Sequence, residues 1–579
     1  MVSDCGYGAI FLCGDVGSQT FGAGGQTWIA RGLPKFQEMS LEGEANFDKA
    51  LFCFHRMASP TSSLSPLFQK PVFTAVLPSA TSREGLVAAT AAATLAYTAW
   101  GFGGVIAWSL HIMLLGGLLT LGIALIPTRQ GAGPRRKESG KKRKHSEGRI
   151  SKFLDRQWPE GLHPTTLLFT SAFLFYLLIA ALNPAHQILS DERGWWLSSI
   201  DPPLGDWLPS SVRSDYEPMN PWRIFNMHLA AFSLALGLKL GLRRRSSLLV
   251  VLWFFVSSAA IMAAFAIYQK YSGMAEVLGT YKSENENFWG SFFYRNQAVA
   301  FLNWGLVLAG VLYFFHAARA QLQARTGGPH FLAFCSIGLI AVSVGLALSR
   351  GGVVFAALLL VIFLFLVLFD YFYRSFVQTS RHTIGLTAAL TATLAVLFSI
   401  GLVQVNRAID WEAIEQRFGD VGKTINEADS DARMLSSKMT WKMAQDRLWT
   451  GWGPGSFRYA FPIYQQEEPT IFYSHYHRKR GWLGRKFYRY AHNDILQFLA
   501  EYGIFGYSLL LATLLCFLAP AFEALRERPF AVLFLLGGFI AAMGHATLDF
   551  IFHSPAFWVA FVAGIAGTSQ LLQMESRRG

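Results

Sequence analysis

The sequence predicts an all-α polytopic membrane protein of about twelve transmembrane helices, with one long, mostly helical outer segment between helices 9 and 10. Three observations carry this. The 579 residues are 52% hydrophobic and only 15% charged, with 49 Phe and 17 Trp, outside the range of soluble domains. Apolar stretches of membrane-crossing length recur through the chain. The basic residues behind the formal charge of +13 gather in short runs between those stretches, which is how orientation is set in a bilayer. The same clustering sets aside nucleic acid as a partner.

Residues 1–83 show no sustained periodicity and none of the parts of a secretory signal, so they read as a poorly ordered cytoplasmic N-terminal extension, or as residues upstream of a start at Met57. Residues 84–128 form a first helical hairpin. The apolar run Leu86 to Ile126 would extend roughly 60 Å as one helix, twice the hydrocarbon thickness, so it must fold back. Gly101-Phe102-Gly103-Gly104 is the natural turn. A basic linker, 129–164, carries Arg135-Arg136-Lys137 and Lys141-Lys142-Arg143-Lys144 and is cytoplasmic by the positive-inside rule.

Helices 3–9 occupy 165–404, with spans near 165–183, 225–242, 247–268, 298–316, two within 331–373, and 383–404. Trp195, Trp196 and Trp207 read as interfacial anchors in the first outer loop of this region. The stretch 331–373 is too long for one crossing and is interrupted by Ser349-Arg350-Gly351-Gly352; an arginine at mid-membrane is costly, so the chain turns there at the outer interface. Residues 405–493 form the outer segment, 494–573 hold helices 10–12 (near 494–518, 530–548 and 555–573), and 574–579 are a cytoplasmic tail. Both termini are then cytoplasmic.

Of the five cysteines, Cys5, Cys13 and Cys53 precede the first span, while Cys335 and Cys516 fall inside spans and read as packing residues. No pair falls in a loop where a disulfide framework could form. Three arginines are expected at the outer face on separate segments: Arg295, Arg350 and Arg433. Their planar forks of donors match phosphate oxygens; taken singly, snorkelling to a lipid phosphate is the favoured reading of each.

The outer segment shows helical spacing at Trp411, Ile414 and Phe418, and again at Met434, Trp441, Met443 and Leu448, suiting an amphipathic cap over the membrane or plain packing. Gly451-Trp452-Gly453-Pro454-Gly455 has no preceding strand and is broken by Pro454, so it reads as a tight turn against the bilayer surface and not as a dinucleotide loop. Arg478, Lys479, Arg480, Arg485, Lys486 and Arg489 crowd the end of the segment. If its last turns are helical, Arg485, Arg489 and His492 share a face that would draw an anionic substrate; the alternative is a solvated basic face toward lipid headgroups. His475 and His477 are a weak metal pattern.

The stretch His492-Asn493, nine residues, Gly503, two residues, Gly506 runs from this polar segment directly into an apolar span. Together with Ser349-Arg350-Gly351 and Gly451-Trp452-Gly453-Pro454-Gly455-Ser456-Phe457, it resembles the signature of the O-antigen ligase family over roughly residues 165–570. The resemblance implies a fold like that of C-type glycosyltransferases, in an inner membrane with the site facing the periplasm. It implies transfer of a glycan from undecaprenyl diphosphate to an acceptor hydroxyl in lipopolysaccharide or cell-surface polysaccharide biosynthesis. Arg295 and Arg350 would hold the diphosphate, with Arg433, Arg485 and Arg489 as further substrate-binding residues, and His492 would serve the acceptor hydroxyl. Asn493 could fix the His492 ring, and Gly503 and Gly506 would admit a neighbouring helix. Glu501 is expected to make a structural hydrogen bond. No cofactor and no metal are expected, since a diphosphate leaves well once positioned and charge-stabilised. The partners are a lipid-linked glycan donor and a glycolipid or sugar acceptor. Rival readings are an O-antigen or exopolysaccharide polymerase, a protein O-oligosaccharyltransferase and, from another class, a secondary transporter; the clustering of polar residues at one face argues against the last.

Overall fold

The computed structural model describes residues 82–127, 162–192, 194–215, 220–283, 287–322, 327–377 and 429–577. Residues 1–81 of the N-terminal extension, most of the basic linker, the expected span at 383–404, and Trp411, Ile414 and Phe418 lie outside the described residues, while Ser82 and Arg83 already belong to the first helix. Among the described residues, nine helices are long and apolar enough to cross a membrane.

Helices α1 (Ser82–Thr98) and α2 (Ala107–Leu125) form the expected hairpin, turned at Phe102–Gly104. Gly103 and Gly104 both take positive φ, which glycine adopts without steric cost. Helix α3 (Pro164–Leu182) leads into a small sheet of β1 (Pro184–Asp191), β2 (Gly194–Ser199) and β3 (Ser211–Arg213), ordered β2-β1-β3 with β1 and β3 parallel. This corrects the all-α expectation. The strands lie in a connection whose Trp and Pro residues suit an interface anchor equally well, so local pattern does not distinguish the two.

Next come α4 (Pro221–Gly241), α5 (Arg245–Tyr271) and the paired β4 (Glu276–Val277) and β5 (Tyr281–Lys282). Helix α6 (Arg295–Leu322) is followed by α7 (His330–Leu346) and α8 (Arg350–Val377), so the long apolar stretch does break just before Arg350. The described part of the outer segment holds α9 (Asp429–Asp446), α10 (Phe457–Gln465), α11 (Pro469–Phe472) and the antiparallel hairpin β6 (His475–His477) and β7 (Gly481–Leu483). Helices α12 (Asp494–Leu518), α13 (Pro529–Ala546) and α14 (Pro555–Ser576) complete the chain.

Helices α3, α4, α13 and α14 each carry proline in the first turn, where the missing N–H is not needed and φ is already helical. Helix α14 is buried along its whole length and packs against α4, α5, α6 and α12. Its small residues permit this: Gly564 lies against the Trp304 indole, whose Nε1 donates to the Ala560 carbonyl at 3.0 Å. By contrast α2 and α8 turn most of their surface outward, as helices at the lipid boundary do. Cys335 is exposed and Cys516 half-buried, so neither is the core packing residue that its apolar surroundings in sequence suggest. The apolar neighbours that implied burial in protein serve a lipid-facing surface equally well.

In α9 the inward face is Met439, Met443 and Ala444, while Met434 and Trp441 are exposed. The expected stripe through Met434, Trp441 and Met443 is therefore corrected. Several apolar residues in that helix fit more than one face, and the partner surface selects one.

Candidate active site

Helices α6, α8, α12 and α14 all begin at the end of the bundle where α13 finishes, and the short α13–α14 connection joins them. Gln297 Nε2 donates to the Phe550 carbonyl at 3.1 Å, and Asn296 Nδ2 donates to Asp549 Oδ2. Phe552 N–H donates to Asp494 Oδ2 at 2.8 Å. A side chain atom added at Gly351 would lie 3.5 Å from His545 Nε2, and the His545 carbonyl accepts the Asp549 N–H at 3.1 Å. The starts of α6, α8 and α12 thus converge on residues 545–553.

His492 stands at this convergence. Its φ of 56° is left-handed, a conformation non-glycine residues adopt only under constraint. The constraint is visible on both sides. Ala491 N–H donates to Gln497 Oε1 at 2.9 Å, and Asn493 caps α12 by accepting the Leu496 N–H at 3.1 Å. Asn493 is therefore committed to the helix N-cap rather than to the His492 ring. The imidazole instead turns its Nδ1 toward Asp549 Oδ1 at 3.6 Å and packs its ring against Phe550. That distance is just beyond hydrogen-bond range, a spacing common before substrate closes a site. Asp549 is almost fully buried and His492 about one-third exposed. Burial alone would raise the Asp549 carboxyl, but the adjacent His492 and the Phe550 N–H hold it below its ordinary value.

A second, reciprocal pair lies behind the first. Asp494 Oδ1 is 2.6 Å from His553 Nδ1, and Gln497 Nε2 donates both to His553 Nε2 at 2.9 Å and to Glu501 Oε1 at 3.1 Å. Because the Gln497 oxygen is taken by Ala491 N–H, its amide can only donate to His553, which leaves that ring presenting Nδ1–H to Asp494. Glu501 accepts the N–H groups of Gly455 and Phe457 at 3.0 and 3.2 Å, the structural role expected of it.

This network rests on a break in α12. Gly503 has φ 60° and ψ −176°, a combination open essentially to glycine alone. The backbone groups freed by the break are satisfied by the glycine turn. Trp452 N–H donates to the Ala500 carbonyl at 2.9 Å and Gly453 N–H to that of Glu501 at 2.7 Å; Ile504 N–H donates to the Leu448 carbonyl at 2.8 Å and Phe505 N–H to that of Trp449 at 3.2 Å. Any side chain at Gly503 would overlap the Trp449 carbonyl oxygen, and one at Gly451 would overlap that of Glu501. The turn expected against the bilayer surface is therefore docked on α12. Gly503 admits this turn instead of a neighbouring helix, whereas Gly506 does receive α3 through the Tyr176 ring.

The expected arginines divide. Arg295 opens α6, and the Tyr294 hydroxyl beside it is raised by burial and by Asp549, while Arg433 and Arg295 oppose that rise. Arg295, Arg433 and Asp549 thus act electrostatically on one phenol. Arg350 is exposed at the start of α8, next to the Gly351–His545 contact. Arg485 and Arg489 are exposed on a non-helical stretch, so the helical face shared with His492 does not form, and the Arg485 guanidinium lies 5.6 Å over the Phe472 ring. Gln465 explains the extended path: its Nε2 donates to the carbonyls of Ile471 and Lys486, pinning the returning chain.

Asp549, His553, Gln497 and Asn296 were not singled out by sequence reasoning. The available signal was two titratable residues, Asp549 and His553, in a short connection between apolar spans at the face that also carries His492.

Fold and site together define a multi-pass membrane protein with a titratable, arginine-bearing centre at one end of its helix bundle. Residues 335–511 match the family model described as O-antigen ligase, Wzy_C. The match contains Arg350, Arg433, Arg485, Arg489, His492 and Asn493; Arg295, Asp549 and His553 lie outside it. No curated protein matches the chain in a sequence search.

Proposed function

We propose that this protein transfers a glycan from an undecaprenyl-diphosphate-linked donor to an acceptor hydroxyl, at the periplasmic face of an inner membrane, in lipopolysaccharide or cell-surface polysaccharide biosynthesis. The observation that carries the reading is the approach of His492 to Asp549 where α6, α8 and α12 begin. With Nδ1–H directed at the Asp549 carboxylate, His492 Nε2 holds a lone pair for the acceptor proton. The acceptor oxygen then bonds to the anomeric carbon as the bond from that carbon to the phosphate oxygen breaks, and the diphosphate leaves with the electron pair. Arg295 and Arg350 bind and stabilise that leaving group, with Arg433 in support. Arg485, Arg489 and Asn493 stay as further candidates for substrate contact, Asn493 being half-buried at the helix start.

The test is reconstitution with lipid-linked glycan and, in separate arms, core glycolipid, free repeat units or an acceptor peptide. Transfer to core glycolipid supports a ligase; transfer to repeat units or peptide redirects the reading to a polymerase or a protein O-oligosaccharyltransferase. Should His492→Ala and Arg350→Ala leave surface polysaccharide intact while abolishing uptake of a solute, a transporter replaces the enzyme.

A further inference from the structure

The hairpin of β6 and β7 carries a surface that the proposed reaction does not use. Tyr476 and Trp482 are directly opposed across the hairpin, with ring centroids 5.2 Å apart. Tyr473 stacks on Trp482 at 5.9 Å, so three aromatic rings form one continuous patch. Tyr476 is 62% exposed and Trp482 39%, which leaves the patch open. The turn between the strands is Arg478-Lys479-Arg480, all exposed. Among the described residues no carboxylate pairs with these three, and no Asp or Glu occurs from Pro469 to Asn493. A two-stranded hairpin this short is marginal alone in water and gains by docking its apolar face.

The position of the hairpin limits what can cover it. Tyr490 stacks on Phe550 at 4.4 Å, at the site end of the membrane helices. Extended chain from Tyr490 back to Leu483 reaches no more than about 25 Å. The hairpin therefore lies within about 25 Å of the end of the bundle where α12 begins, within reach of the membrane surface. Tyr and Trp favour the headgroup region, and clustered Lys and Arg are drawn to anionic lipid by about 1 kcal/mol each.

We propose that the hairpin is an anionic-lipid anchor: its aromatic face of Tyr473, Tyr476 and Trp482 beds into the headgroup layer on the site side of the membrane, while Arg478, Lys479 and Arg480 bind lipid phosphates. The consequence is a leaflet contact that holds the irregular segment 484–491, and so the approach to His492, against the membrane.

The test uses full-length protein in lipid nanodiscs with an environment-sensitive fluorophore on Tyr476→Cys, the native cysteines replaced by serine. A second probe on Ser474→Cys leaves all three rings in place and guards against loss of the patch. In phosphatidylcholine containing phosphatidylglycerol, both probes shift to the blue and are quenched by headgroup-proximal spin-labelled lipid. Each of R478S, K479S and R480S weakens the docked state about fivefold. The proposal is overturned if emission stays water-like in both lipid mixtures, or if the blue shift arises in phosphatidylcholine only when lipid-linked glycan is added, which would make the patch a substrate site.

Discussion

His492 Nδ1 and Asp549 Oδ1 face each other at 3.6 Å although one begins a membrane helix and the other lies between the last two. The carboxylate is buried and held below its ordinary pKa by the imidazole and the Phe550 N–H, which suits it to orient the ring and to stabilise an imidazolium in the proposed proton transfer.

Replacing Asp549 by Asn keeps the shape and removes the charge. Turnover is expected to fall about 10²-fold with little change in the KM for donor. On the proposed mechanism the two groups act as one unit, so Asp549→Asn added to His492→Ala should cost little more than His492→Ala alone. Full additivity in a steady-state glycan-transfer assay would show that the contact is incidental.

Arg350 tests the diphosphate assignment. Arg350→Lys keeps the charge and loses the planar fork, so it is expected to behave nearly like Arg350→Ala, raising the KM for lipid-linked donor and lowering turnover about tenfold or more. Wild-type kinetics in the lysine variant would leave Arg350 no role beyond a surface charge.

Gly503→Ala places a side chain on a backbone with φ 60° and ψ −176° and drives it into the Trp449 carbonyl. A loss of about 3 kcal/mol is expected, read as a lower melting temperature in detergent and reduced yield from membranes. Gly122→Ala, at a helical position with open space around it, serves as the neutral comparison. Equal melting temperatures for the two variants would contradict the account of the helix break.

The depressed Asp549 carboxyl also makes a pH prediction. A group whose folded pKa lies below its unfolded value contributes stability that is present above the unfolded value, 3.8 for Asp549, and is lost as pH falls through the folded value. The melting-temperature gap between wild type and Asp549→Asn should therefore hold steady above about pH 5 and narrow below about pH 4. A gap that widens on acidification would reverse the sign of the interaction.

Much of the architecture is legible in the chain itself, because bilayer thickness and the cost of buried charge act on local composition. The fold-back at Gly101–Gly104, the break before Arg350 and the start of a span at Asp494 all follow from that. Glu501, an acid within an apolar helix, had to find donors and does so at Gly455 and Phe457. What the sequence could not decide is which groups meet. Asn493 looked as ready as any residue to hold the His492 ring, yet its oxygen caps the helix, and the ring is met by Asp549 from a connection distant in sequence. The glycine turn and Gly503 each look like ordinary flexible points until their backbones pair across the gap in α12. Local composition determines where a segment lies with respect to the bilayer, since that depends on solvation residue by residue. Partnership depends on the geometry of contacts between remote segments, and only the packed bundle settles it.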